Sequence, residues 1–316
     1  MAKRRNDYDV ADAVKTTDPD AVEAEVRRIY RSWYGKPGAA SLHQPFDNFA
    51  ALYRGEHPDY HGCDTGYHDM QHVLDVTLAM TRLLDGYQRA SPKPLDERLF
   101  RLGIILALYH DVGYLRSRKD TRHKQGAEYT LTHVSRGGHY LRNYLPRIGM
   151  ADLAPIAARL VHFTGFEMPV GKIKLPADPV YKAIGNLLGT ADILGQMSDR
   201  CYLEKCHERL YPEFVAGGIA VRDNGSGQKQ VMFESGADLV LKTPGFYQHA
   251  EDRLENVLDA FHHYAEKHFE GKNLYVEAVE NTINYARTLT KAEDMKRLRR
   301  LAPETSAADP EKPKTE

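Results

Sequence analysis

Residues Leu99 to Tyr114 read LFRLGIILALYHDVGY, and this stretch decides the fold. Its apolar residues run almost unbroken into His110 and Asp111, so a buried helix finishes on an imidazole and a carboxylate. Taking such groups out of water costs free energy unless they hydrogen-bond to each other or hold a cation. A helix C-terminus that favours an imidazolium, with Asp111 as a cap, accounts for the same dipeptide. Outward from this helix the periodicity stays helical. Apolar residues recur at three and four in Val22, Val26, Ile29 and Tyr30, in Val73, Val76, Met80, Leu83 and Leu84, and in Ile156, Leu160 and Phe163. No run alternates with period two. Asp18-Pro19 and Ser91-Pro92 fit helix starts, and Gly35, Gly86 and Gly165 fit helix ends. The expected class is all-α.

The chain has 316 residues, 42% hydrophobic and 28% charged, enough to bury a substantial core. Its 43 Lys and Arg against 44 Asp and Glu leave a net charge of -1, so no overall field draws it to nucleic acid or an anionic membrane. Any phosphate binding is therefore local. The longest uncharged apolar run, Leu102 to Tyr109, falls short of the ~20 residues of a membrane span. The charged start MAKRRNDYD lacks the apolar segment of a secretory signal, and a cytoplasmic protein is expected. Cys63, Cys201 and Cys206 are odd in number and form no CxxC pair, which argues against a disulfide framework or a zinc ribbon.

Residues 1–17 and 301–316 are polar and read as disordered tails. Gly217, Gly218, Gly225 and Gly227 mark a loop or short hairpin over 216–234. It divides a helical core over 18–215 from a helical C-terminal region over 235–300, expected to pack on that core. A homo-oligomer is compatible with this organisation.

The 15 histidines are the compositional oddity, and imidazole is the commonest metal ligand. In Tyr67-His68-Asp69-Met70-Gln71-His72-Val73-Leu74-Asp75-Val76, His68 and His72 share one helix face, a spacing that a solvated face would also show. The order of this pair, then His110-Asp111, then Asp192 in a later helix resembles the HD-domain superfamily of metal-dependent phosphohydrolases. The first motif is similar to the opening motif of class I cyclic nucleotide phosphodiesterases, which has Asn at the position of Asp69. His133-Val134-Ser135-Arg136-Gly137-Gly138-His139-Tyr140-Leu141 resembles the His-x-x-x-Gly-small-x-x-Leu pattern of HD domains that hold a second metal. Arg159-Leu160-Val161-His162 resembles the histidine helix that follows it, and Leu187-Leu188-Gly189-Thr190-Ala191-Asp192-Ile193-Leu194 the closing helix. The likeness covers about 65–200.

The resemblance implies an HD-domain helical bundle with additional C-terminal helices and a site for two divalent transition-metal ions. His72, His110 and Asp192 would serve one ion, His133 and His162 the other, and Asp111 would bridge them. Such donors suit Fe, Mn, Zn, Ni or Co. Two ions roughly 3.5–4 Å apart can hold a bridging hydroxide as nucleophile, which makes Asp111 catalytic as well as a ligand. His68, one turn before His72, would be the general acid.

Two departures stand out. Tyr114 occupies the position at which many two-metal HD enzymes carry a phosphate-contacting Lys, and the His that class I phosphodiesterases have at a comparable position is missing too. The basic run Arg116, Arg118, Lys119, Arg122 and Lys124 offers substitute phosphate contacts, one or two of them turned inward from an otherwise solvated loop. Gln248 beside Phe246 and Tyr247 imitates the nucleotide-recognising glutamine and aromatic clamp of class I phosphodiesterases, in a region with no further likeness. His139 projects about 120° away from His133 on a helix of 3.6 residues per turn, and His207, His249, His262, His263 and His268 are assigned no role. The expected activity is hydrolysis of a small phosphodiester or phosphomonoester, such as a nucleotide. A mixed-valent di-iron oxygenase on the same fold and a non-catalytic nucleotide-sensing module stay open as alternatives.

Overall fold

Helices form where the apolar spacing puts them, over the residues 4–223 and 229–304 that the computed structural model describes. In chain order they are α1 (Pro19–Ala40), α2 (His43–Arg54), α3 (Met70–Ala90), α4 (Glu97–Tyr109), α5 (His133–Tyr144), α6 (Ala154–Leu160) and α7 (Pro179–Met197). There follow α8 (Tyr202–Lys205), α9 (Tyr211–Ala216), α10 (Gly236–Asp252), α11 (Tyr264–His268) and α12 (Leu274–Ala286). Strands β1 (Val221–Asp223) and β2 (Lys229–Val231) pair antiparallel as a small hairpin. No described helix is long and apolar enough to cross a membrane.

α3 is the axis of the bundle, packed against α1, α4, α7 and α11. Val73, Leu74, Val76, Met80, Leu83 and Leu84 are all buried, a wider face than one stripe because neighbours surround the helix. Each such side chain contributes roughly 1.5–3 kcal/mol on leaving water. Ile104, Leu106 and Leu108 of α4 and Leu187, Leu188 and Leu194 of α7 complete this core. Beyond the hairpin, α11 lies on α3 and α12 on α7.

Two local expectations change. Gly86 does not end a helix but lies inside α3, where a Cβ would run into the Tyr264 carbonyl at α11. Close helix approach, not chain reversal, requires glycine there. Ser91-Pro92 closes α3 rather than starting α4, because the Ser91 N–H still bonds the Tyr87 carbonyl and proline cannot continue the helix. α4 begins later, with the Asp96 carboxylate accepting from the Leu99 N–H at 2.8 Å.

Residues 4–17, expected as tail, are docked on the core. Tyr8 and Lys15 form an antiparallel bridge, and Val14 joins the core. Buried Asp9 meets buried Arg82 of α3 at 2.5 Å. Composition could not reveal this, since a polar segment is held here by partners far along the chain: the Arg82 pair, the Ser198 carbonyl that accepts from Arg4, and Arg200, which donates to Asn6. At the other end, the Leu301 carbonyl accepts from Asn6 at 2.9 Å, and residues 305–316, expected as tail, lie outside the described residues.

Candidate metal centre

α3, α4 and α7 converge on one buried cluster. Asp69 caps α3, its Oδ1 accepting from the His72 N–H at 2.9 Å, which fixes His72 in the first turn. Asp serves this cap as well as Asn would, since both offer an acceptor oxygen. At the end of α4, Asp111 adopts φ -102° and ψ 7°, the sparsely allowed bridge region where many active-site residues sit. The Nδ1 of His110 donates to the Ala107 carbonyl at 2.7 Å, so in the neutral ring Nε2 carries the lone pair. That Nε2 lies 3.4 Å from His72 Nε2, and Asp111 Oδ2 lies 3.1 Å from both. Asp192 Oδ1 on α7 stands 3.8 Å from His72 Nε2 and 3.7 Å from His110 Nε2.

The separations among His72, His110 and Asp111 suit one ion, and Asp192 stands just outside that spacing. Ligand atoms about 2.1 Å from a transition metal and about 90–110° apart lie about 3.0–3.4 Å from each other. Two buried ring nitrogens facing each other need a proton or a cation between them. Burial opposes charge on His110, yet the adjacent Asp111 carboxylate prevails and pushes the imidazole up to about 9. Asp111 itself is held well below the carboxylate range: burial opposes, and His110 outweighs it.

Asp111 presents its other oxygen to a second group. His133 opens α5, donates from Nδ1 to the Thr130 carbonyl at 2.7 Å and sets Nε2 3.5 Å from Asp111 Oδ1. Burial depresses its pKa, favouring the neutral, ligating ring. His162 follows α6, its Nδ1 held by Glu167 Oε1 at 2.6 Å. A carboxylate in that position orients a ligating histidine and leaves Nε2 as the donor. No described contact joins His162 to Asp111 or His133.

His68 sits beside the cluster, and Glu213 on α9, given no role by the sequence, is its partner: Oε2 lies 2.6 Å from His68 Nδ1. Burial opposes the imidazolium, but Glu213 outweighs it and raises the His68 pKa. Tyr114 is a flat wedge, stacked on His68 at 4.4 Å and on His133 at 4.3 Å between ring centroids. Arg136 braces the turn that holds this wedge, donating to the Gly113 and Leu115 carbonyls at 2.7 and 2.9 Å. Neither role has a local signal, because each exists only once α5 and α9 are packed. Of the basic run, Arg116 pairs with Asp64 and Arg118 donates to the Gly55 carbonyl, while Lys119 and Arg122 are exposed. None of the four contacts the cluster. Gln248 is exposed and pairs with Glu251, and His139 is exposed as its helical angle requires.

No protein-family model matches the sequence, and no curated protein does. Among solved structures, the fold is similar to the phosphodiesterase domain of the RhoPDE fusion protein from the choanoflagellate Salpingoeca rosetta. The TM-score is 0.53 at 12% identity, over 93% of this chain and 96% of that one. At that identity the likeness is one of fold: an all-α bundle like a phosphodiesterase domain.

Proposed function

We propose that this chain is an HD-type, metal-dependent phosphoric ester hydrolase acting on a small phosphodiester or phosphomonoester, nucleotides among them. One observation carries the reading. The Asp111 carboxylate is shared, Oδ2 at 3.1 Å from the His72 and His110 nitrogens and Oδ1 at 3.5 Å from His133 Nε2. His72, His110, Asp111 and Asp192 would hold one divalent ion, and Asp111, His133 and His162 a second. Bound there, the ions supply Lewis acidity toward phosphoryl oxygens and make water nucleophilic near neutral pH.

The remaining chemistry belongs to the chain. His68, whose pKa Glu213 raises, would donate a proton from Nε2 to the leaving oxygen. A non-catalytic sensing module has no need of this pair, which favours the hydrolase reading over that one. Tyr114 would hold His68 and His133 in register, and phosphate contact would fall to the ions rather than to the Arg116–Arg122 run.

The test is elemental analysis with an assay on aryl and nucleoside phosphate diesters. The purified chain should carry divalent transition metal and hydrolyse at least one ester. Asp111→Ala should lose the metal and reduce turnover at least ~100-fold, the order seen when a metal site's support is removed. Unchanged metal content in folded Asp111→Ala refutes the assignment.

A further inference from the structure

Away from that centre, Glu255, His262 and His263 bring a carboxylate oxygen and two ring nitrogens within 4.8 Å of one another. The backbone is unusual there. A π turn over Arg253–Val257 leads into two consecutive left-handed residues, Asp259 (φ 57°) and Ala260 (φ 56°), before the 3-10 turn Phe261–His263. Left-handed conformation is sterically disfavoured outside glycine, and strained backbone and π turns cluster at functional sites. Lys182 and Asn186 of α7 hold the reversal by bonding Asp259 Oδ2 at 2.8 Å each.

His262 is 7% exposed, its Nε2 3.3 Å from Glu255 Oε1, and its buried Nδ1 has no hydrogen-bond partner. Either neutral tautomer leaves a demand unmet. With the proton on Nε2, the Nδ1 lone pair has no donor; with the proton on Nδ1, that proton has no acceptor and the Nε2 lone pair faces a carboxylate. His263 is prepared differently: its Nδ1 bonds Glu266 Oε1 at 3.0 Å, which leaves Nε2 as a free donor.

We propose that Glu255, His262 and His263 form a peripheral site for a divalent transition ion, Zn2+ first, separate from the His72–His110–Asp111 centre. Two imidazoles and a carboxylate are the donors zinc takes, and Mg2+ or Ca2+ would want oxygen throughout. The half-exposed Glu255 and His263 leave the remaining position to water. Arg253, in the same π turn, donates to the Phe163 and Gly165 carbonyls at 2.7 and 2.9 Å. An ion here therefore stiffens the support of the segment after His162.

Equilibrium dialysis of the full chain against Zn2+, read by elemental analysis, tests this. His263 is exposed, so His263→Ala keeps the fold. It should bind one Zn2+ per chain fewer than wild type, and Glu255→Gln should bind it at least 10-fold more weakly. In an Asp111→Ala background Zn2+ should still raise the melting temperature, and adding His263→Ala should abolish the rise. Equal Zn2+ in wild type and His263→Ala overturns the proposal, as does folded Asp111→Ala that binds none. Should Asp111→Ala not fold, the wild-type comparison decides alone.

Discussion

At Glu213 and His68 a pH profile separates proton donation from simple packing. His68 can donate only while protonated, and its raised pKa keeps it so to higher pH than a free imidazole. Turnover of an ester with a poor leaving group should therefore fall as pH rises through that value. Glu213→Gln removes the carboxylate that raises it, so the falling limb should move to lower pH. His68→Ala should cost 10²–10⁴-fold on a nucleoside ester, about the range of general acid catalysis, and much less on a nitrophenyl ester whose leaving group needs no proton. Equal losses on both esters, or a limb that Glu213→Gln leaves in place, would remove His68 from proton transfer. The sequence exposes His68 through its spacing to His72. It could not expose Glu213, an ordinary glutamate in chain context that becomes special only when α9 buries it against the Tyr67 and His68 amides.

Among the elements, the turn after α4 sets the distance between the two halves of the centre. Gly113 lies so close to α5 that a Cβ would run into the His133 carbonyl. Gly113→Ala should cost about 1–3 kcal/mol by overpacking and push His133 away from Asp111 Oδ1. Lower metal content with a lowered melting temperature is expected, and a variant that keeps both unchanged would show that α5 does not position a ligand. The N-terminal segment has a buried charge pair in Asp9 and Arg82. Burial opposes charge on Asp9, but Arg82 outweighs it and keeps the carboxyl below its usual 3.8. Its stabilisation is present above that value and disappears as pH falls through the lower, folded one. Asp9→Asn leaves Arg82 buried and unpaired, which should cost ~3–5 kcal/mol and free the amides of residues 4–17 to hydrogen exchange; protection equal to wild type counts against the pair as the anchor. The bodies of α3 and α4 were legible because apolar spacing is local, although the boundary between them at Gly86 and Ser91-Pro92 was not, whereas this docking depends on a partner outside the segment.

For the whole molecule, the order of histidines and carboxylates along the chain was legible, but which oxygen of Asp111 faces which histidine required the packed bundle. That shared arrangement couples stability, metal and pH. In the metal-free protein the raised His110 pKa contributes stability in full below pH 6.5 and loses it as pH rises through about 9. An ion needs His110 neutral, so below about 9 binding must expel its proton. At fixed free metal, apparent affinity should then strengthen up to ~10-fold per pH unit, or about 1.4 kcal/mol of added stability. The two effects are one linkage: as pH climbs, the metal-free form weakens by as much as the ion's binding strengthens, so the loaded form holds its stability and only the gap between them grows. The gap in melting temperature between loaded and stripped protein should therefore widen from pH 6.5 to 9 when scanned calorimetrically with the free ion buffered. In calorimetric titrations near pH 7.5, the binding heat should change with the buffer's ionisation enthalpy by an amount matching release of about one proton. A gap that stays constant or narrows, with no proton released, would mean that the ion does not bind at His110.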